Sequence, residues 1–213
     1  MARIKNGIMG PFTGTIANIV GYERLGTACM RRKADLSNRV FSEKQQAHHL
    51  RVKLANTFIN PSKNFINVGF SLVTKGGQTA HNVAISQVIR GGCKGIFPDL
   101  ELDFKNLLVA DGDLEQARNP RVELAGITLK FSWDYDNLLE FENRSDQVML
   151  LAYSPETGHS FYILGGVPRS SRQAVLNVYP ETEEESFETY IAFITEDRKS
   201  ISKSIYTGQV TMS

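Results

Sequence analysis

Three regimes of hydrophobic patterning follow one another along the chain. In residues 15–23, Ile, Val, Thr and Tyr crowd together, the residue types that pleated surfaces favour. Arg24, Leu25 and Gly26 read as a turn, with Gly26 free to take a positive φ, and residues 27–33 as the returning strand. On this reading one face of the ribbon shows Ile16, Asn18, Val20 and Tyr22, and the other Ala17, Ile19, Gly21 and Glu23. Both faces are partly apolar. An isolated two-stranded hairpin is marginal in water, so this one is expected to lean on the rest of the chain or on a partner.

From Ser42 the period lengthens to that of a helix. Ser42 and Gln45 fit a capping box, and Ala47, Leu50, Leu54 and Phe58 follow at helical spacing until Pro61 stops the pattern. Ser62 is placed to cap a second helix over residues 63–74, ended by Lys75-Gly76-Gly77. Thr79 is placed to cap a third over 80–90, closed by Gly91-Gly92. Three short helices of this kind are expected to form a small bundle with the hairpin across it. Residues 96–111 then read as a short strand pair, and 114–120 as a linker.

From about Asn119 the alternation is that of strands throughout. Ile127, Leu129, Phe131 and Trp133 mark one, Val148, Leu150 and Ala152 another, and about seven short segments separated by turn signals run to the end of the chain. That spacing predicts a β-sandwich. The fold class expected is α+β: a hairpin with a small helical region over 1–118, then a sandwich over 119–213.

Charge sharpens the division. The net charge of +1 is the sum of +11 in residues 1–95 and −10 in 96–213. The basic half carries Arg24, Arg31, Arg32, Lys33, Arg39, Arg51 and Lys53 as a candidate partner-binding face. Such a face suits nucleic acid, although no zinc finger, RNP aromatic pair or helix-turn-helix accompanies it. It equally suits the acidic half of another copy. With 41% hydrophobic residues the chain can bury a core without staples. No apolar run reaches membrane-spanning length and no apolar leader follows Met1, so a cytoplasmic location is the default expectation. Cys29 and Cys93 are expected as a reduced pair.

The last 95 residues resemble a fibronectin type III domain in pattern, with Trp133 ending an alternating second strand and Tyr190 in the place of the corner tyrosine. That resemblance implies binding or spacing rather than catalysis. Nearly the whole chain resembles an uncharacterised family of Bacteroidota proteins of about 210 residues. The resemblance rests on MARIKNGIMGPFTGTIANIVGYERLGTACMRRK, SEKQQAHHLRVKLANTFINP and SIYTGQV. Asn18, Ile19, Val20, Gly21, Tyr22 and Arg31 fit that family's opening, whereas Ala17 departs from its usual glycine. No activity comes with the resemblance.

Candidate chemistry is sparse. Gly7, Gly10 and Gly14 lack the G-K-[ST] ending of a phosphate loop. His48 and His49 are adjacent on a helix and point about 100° apart, unlike i, i+4 metal ligands. Asp134, Asp136 and Asn137 lack the glycine and distal glutamate of a calcium loop, and Ser154, His159 and Ser160 lie on a hairpin turn. The expectation is therefore a protein without catalytic residues, metal or cofactor. It assembles with its own copies through Phe12, Ile16, Asn18, Val20, Gly21 and Tyr22, the basic half of one copy meeting the acidic half of the next. The alternatives are a nucleic-acid-binding protein and an adhesin-like module using loops around Asp134 or Glu156.

Overall fold

The computed structural model describes residues 2–4, 10–35, 40–136, 144–182 and 184–212. The fold is α+β and mostly β, and the chain divides into two compact units, Met1–Ser42 and Glu43–Ser213.

The first unit is an antiparallel sheet of four strands in sequence order: β1 (Arg3–Ile4), β2 (Phe12–Ile16), β3 (Ile19–Arg24) and β4 (Thr27–Arg32). The expected turn after Arg24 is present, with Leu25 at φ 50° and Gly26 at φ 77°, the paired positive values that match strand twist in two-residue hairpins. The single strand expected over 15–23 is instead broken by a second turn at Ala17 and Asn18, so two hairpins replace one. Ala17 takes φ 48°, a conformation glycine reaches at lower cost. Gly21 is required by space. A Cβ there would stand 2.3 Å from the Phe12 carbonyl oxygen and 2.6 Å from its ring.

The second unit opens with α1 (Glu43–Ile59), α2 (Lys63–Gly69) and α3 (Ala80–Gly91). The Thr79 side chain accepts a hydrogen bond from the Asn82 amide at 3.2 Å, as its sequence position predicts. Ser62 precedes α2, but its side chain makes no cap bond. Helix α2 stops at Gly69, short of the expected 74, because the chain there runs against residues 109–111. The Asp111 amide donates to the Gly69 carbonyl at 3.0 Å, and a Cβ on Gly69 would meet the Val109 oxygen at 2.3 Å. The expected strand pair exists but lies earlier, as β5 (Cys93–Ile96) and β6 (Asp99–Leu102). No described helix is long and apolar enough to cross a membrane.

Among the described residues seven strands follow: β7 (Arg118–Ala125), β8 (Thr128–Asp134), β9 (Gln147–Tyr153), β10 (Ser160–Ile163), β11 (Gln173–Asn177), β12 (Ser186–Ile194) and β13 (Ile205–Thr211). They form two antiparallel sheets, ordered β11-β8-β7 and β10-β9-β12-β13. Alternation explains how both fit one core. Leu129, Phe131 and Trp133 from the smaller sheet join Val148, Leu150, Phe187, Ile191 and Phe193 from the larger in one buried cluster. The opposite face of the larger sheet presents Met149, Leu151, Tyr153, Tyr190, Ala192 and Ile194 to a second cluster, which the helices complete.

The helices pack on one another, α3 against both α1 and α2, and close as a layer over this face of the larger sheet. Phe58 of α1 packs edge-on to Tyr153 at 5.0 Å between ring centres. All nine residues of β12 are buried, since this strand is covered on both faces. The expected boundary at 118/119 falls inside this unit, and the compact units divide at 42/43 instead. Tyr190 is not a corner tyrosine. Its hydroxyl donates at 2.9 Å to the carbonyl of Phe104, far upstream, on the helix-covered face.

Candidate functional site

Strand register decides which side chains of the N-terminal sheet share a face. The cross-strand pairs Ile4 with Phe12, Ile16 with Ile19, and Gly21 with Met30 gather these apolar residues on one side. Ala28 joins them, with Glu23 and Arg32 also on this face. The other side carries Val20, Tyr22 and Cys29 with Thr15, Arg24 and Arg31. Ile4, Ile16 and Ile19 are about half exposed, at 48%, 45% and 46%, and Met30 is 71% exposed. Among the described residues of this unit only Gly21 is buried. A sheet gains independent stability by burying an apolar face, and this one has buried almost none. Covering its four exposed aliphatic side chains would contribute on the order of 3–6 kcal/mol.

The sheet also has unequal edges. Strand β1 has two residues, whereas β4 has six and shows no register shift against β3. A long regular edge is a template for further pairing. The unit holds seven Lys/Arg against Glu23 and Asp35, a net charge of +5.

These facts rearrange the residues singled out from the sequence. Phe12, Ile16 and Gly21 do share a face, but Val20 and Tyr22 lie on the opposite one and Asn18 sits in the turn. A two-residue turn between Ile16 and Ile19 resets the alternation, which is why Ile16 does not share a side with Val20. The same reset brings in Ile4, Ile19 and Met30, which sequence reasoning omitted. The signal was available in Asn18, a common turn residue between two β-branched pairs. Of the basic face, Arg24, Arg31, Arg32 and Lys33 belong to this unit, Arg32 on the apolar side and Arg31 on the other. Arg51 and Lys53 stand on α1 in the second unit, two residues apart and so on different sides of that helix. Arg39, Gly7 and Asn137 lie outside the described residues. Gly10 and Gly14 lead into and lie within a strand, not the helix a phosphate loop would open.

In the second unit Glu156 and Glu185 are each held by neighbouring polar groups. Glu156 accepts hydrogen bonds from Ser186 Oγ at 2.5 Å and Ser154 Oγ at 3.1 Å. Burial opposes its charge, yet these hydrogen bonds together hold its pKa below the ordinary carboxylate value. Glu185 accepts from Thr157 Oγ1 at 2.8 Å and from the Glu181 amide at 2.7 Å, and is likewise lowered against the effect of burial. His159 Nδ1 lies 3.3 Å from Glu181 Oε1, while Ser154 serves Glu156, so the two are not a nucleophile and its base. Asp134 accepts from the Asn119 side chain at 2.7 Å. Cys29 and Cys93 fall in different units. Among the described residues no three His, Cys, Asp or Glu converge as metal ligands.

One buried ion pair stands out. Arg169 Nη2 lies 3.4 Å from Asp146 Oδ2 and donates to the Glu115 carbonyl at 2.6 Å. Its guanidinium stacks 4.0 Å from the centre of the Phe193 ring, and its own carbonyl accepts the Trp133 indole N–H at 2.7 Å. Burial raises the pKa of Asp146, with Arg169 pulling it back. This arrangement joins both sheets to residue 115, and its role is architectural.

No curated protein matches the chain. Residues 11–208, from the apolar face of β2 to the last strand, match the model described as a family of unknown function (DUF6266), and the protein belongs to that family.

Proposed function

We propose that the protein is a non-catalytic structural protein that assembles with its own copies through the N-terminal sheet and displays a fibronectin type III-like sandwich. The observation that carries this reading is the open apolar face of Ile4, Phe12, Ile16, Ile19 and Met30 on a unit in which, among the described residues, only Gly21 is buried. A patch of this kind marks an interaction surface. The fibronectin-like reading is supported by the two sheets of three and four strands, by the place of β10 beside β9, and by Trp133 in their shared core. The polar clusters of the second unit support a non-catalytic role, because Glu156 and Glu185 are each occupied by hydrogen bonds from their neighbours.

Size-exclusion chromatography with light scattering tests the proposal. The full chain is expected to form larger species as concentration rises, and a variant with Ile16→Glu and Ile19→Glu is expected to stop at smaller species than the wild type. A wild-type protein that stays monomeric at high concentration overturns the reading. Titrating both proteins with random DNA and RNA at two salt concentrations addresses the nucleic-acid alternative, which requires tight, salt-sensitive binding by the basic half, +11 over residues 1–95.

A further inference from the structure

If the N-terminal sheet is the assembly surface, as the preceding reading holds, its hydrogen-bond parity specifies what meets it. We propose that β4 pairs antiparallel with β4 of a second copy, centred on Met30, to make one continuous eight-stranded sheet.

Strand order leaves β4 at an edge. In a two-residue hairpin the closing residues, here Arg24 and Thr27, exchange both backbone hydrogen bonds. Alternation then turns the backbone groups of Cys29 and Arg31 towards β3 as well. The Lys33 amide, donating to the Asn18 carbonyl at 2.7 Å, keeps the same parity. The N–H and C=O groups of Ala28, Met30 and Arg32 consequently point away from the sheet. These three residues are symmetric about Met30. Antiparallel pairing centred there sets Met30 against Met30 and Ala28 against Arg32 in both directions, and uses all six outward groups of each strand. Centring on Cys29 would use only those of Ala28 and Met30.

Side chains favour the same register. On the apolar face the row runs Gly21, Met30, the second copy's Met30, and the second copy's Gly21, joining the two open patches on one side. Beside it, Glu23 and the second copy's Arg32 flank Ala28 in one row, giving opposite charges a shared face. On the other face Cys29 opposes the second copy's Arg31, with Tyr22 next in the row and open to a cation–π contact. The arginines of the edge thus meet Glu23 and Tyr22 rather than each other. The joined apolar face remains open, and larger assembly would continue from it.

The test uses the full chain with Cys29→Ser, Cys93→Ser and Met30→Cys, oxidised with diamide, which takes two electrons and two protons from each pair of thiols as the disulfide forms. In the proposed register the two Cα atoms at position 30 lie about 5.5 Å apart, within disulfide reach. The two at position 29 lie roughly 8 Å apart, beyond it. The Met30→Cys protein is expected to give a covalent dimer on a non-reducing gel at least about tenfold faster than the Cys93→Ser protein that keeps Cys29. Ala28→Pro removes an outward N–H that the single sheet does not use, and is expected to abolish the dimer without changing the circular dichroism spectrum. Oligomers by light scattering without preferential linkage through position 30 would overturn the β4 pairing and leave self-assembly standing. So would oligomers that dissolve in high salt, the mark of basic-to-acidic contact. A monomer under all conditions overturns both.

Discussion

Glu188 sits nearly out of water on β12, with its Oε2 accepting the Tyr206 hydroxyl at 2.6 Å. Burial raises its pKa, the Tyr206 hydrogen bond lowers it, and the neighbouring Glu156 charge raises it again, leaving it above the ordinary 4.5. The folded state therefore binds this proton more tightly than the unfolded chain does. Its contribution to stability is most favourable below about pH 4.5 and falls as pH rises through the elevated folded value. Glu156 and Glu185 act in the opposite sense: their lowered values contribute stability above the unfolded pKa, lost as pH falls through the folded one. Glu188→Gln keeps an acceptor for Tyr206 and removes the charge. Calorimetry should show its Tm above wild type at pH 8, with the gap closing as pH approaches 4.5. A gap independent of pH would mean the carboxylate costs nothing there. Sequence gave no hint of this group, because its burial depends on a second layer covering β12. The Thr79 cap was legible because capping is local.

Between elements, a buried tie is made by the Arg169–Asp146 pair with Trp133 and Phe193. Replacing one member of a buried ion pair strands the other charge. Arg169→Met should destabilise the second unit by about 3–5 kcal/mol in urea denaturation, and adding Asp146→Asn should recover part of that loss. Full additivity of the two substitutions would show that the charges do not sense each other. Helices α1 and α3 were readable from the 3.6-residue period with its stops at Pro61 and Gly92. The turn at Ala17 was hidden because alanine is a poor occupant of positive φ. Besides Asn18, the departure at Ala17 from the glycine usual in the family the chain resembles pointed the same way.

Across the whole molecule, two units with different relations to water share one chain. Among the described residues, the second holds two buried clusters, and the first buries one glycine. Removing residues 1–42 should leave the thermal midpoint of the remainder unchanged within about 2 °C while abolishing concentration-dependent association. A large drop in the midpoint would show that the sheet supports the rest of the chain. The charge gradient was visible in sequence and the true division was not. Composition changes near residue 96, whereas compactness depends on which sheet face the helices cover, and that pairing joins residues 58 and 153.

The double cladding of β9 and β12 has a practical side. Someone wishing to borrow the C-terminal strands as a portable scaffold would naturally cut at residue 119. That cut would strip the wall of Met149, Leu151, Tyr153, Tyr190, Ala192 and Ile194 of its cladding and produce a greasy, self-adhering fragment. The smallest portable piece begins at Glu43, helices included.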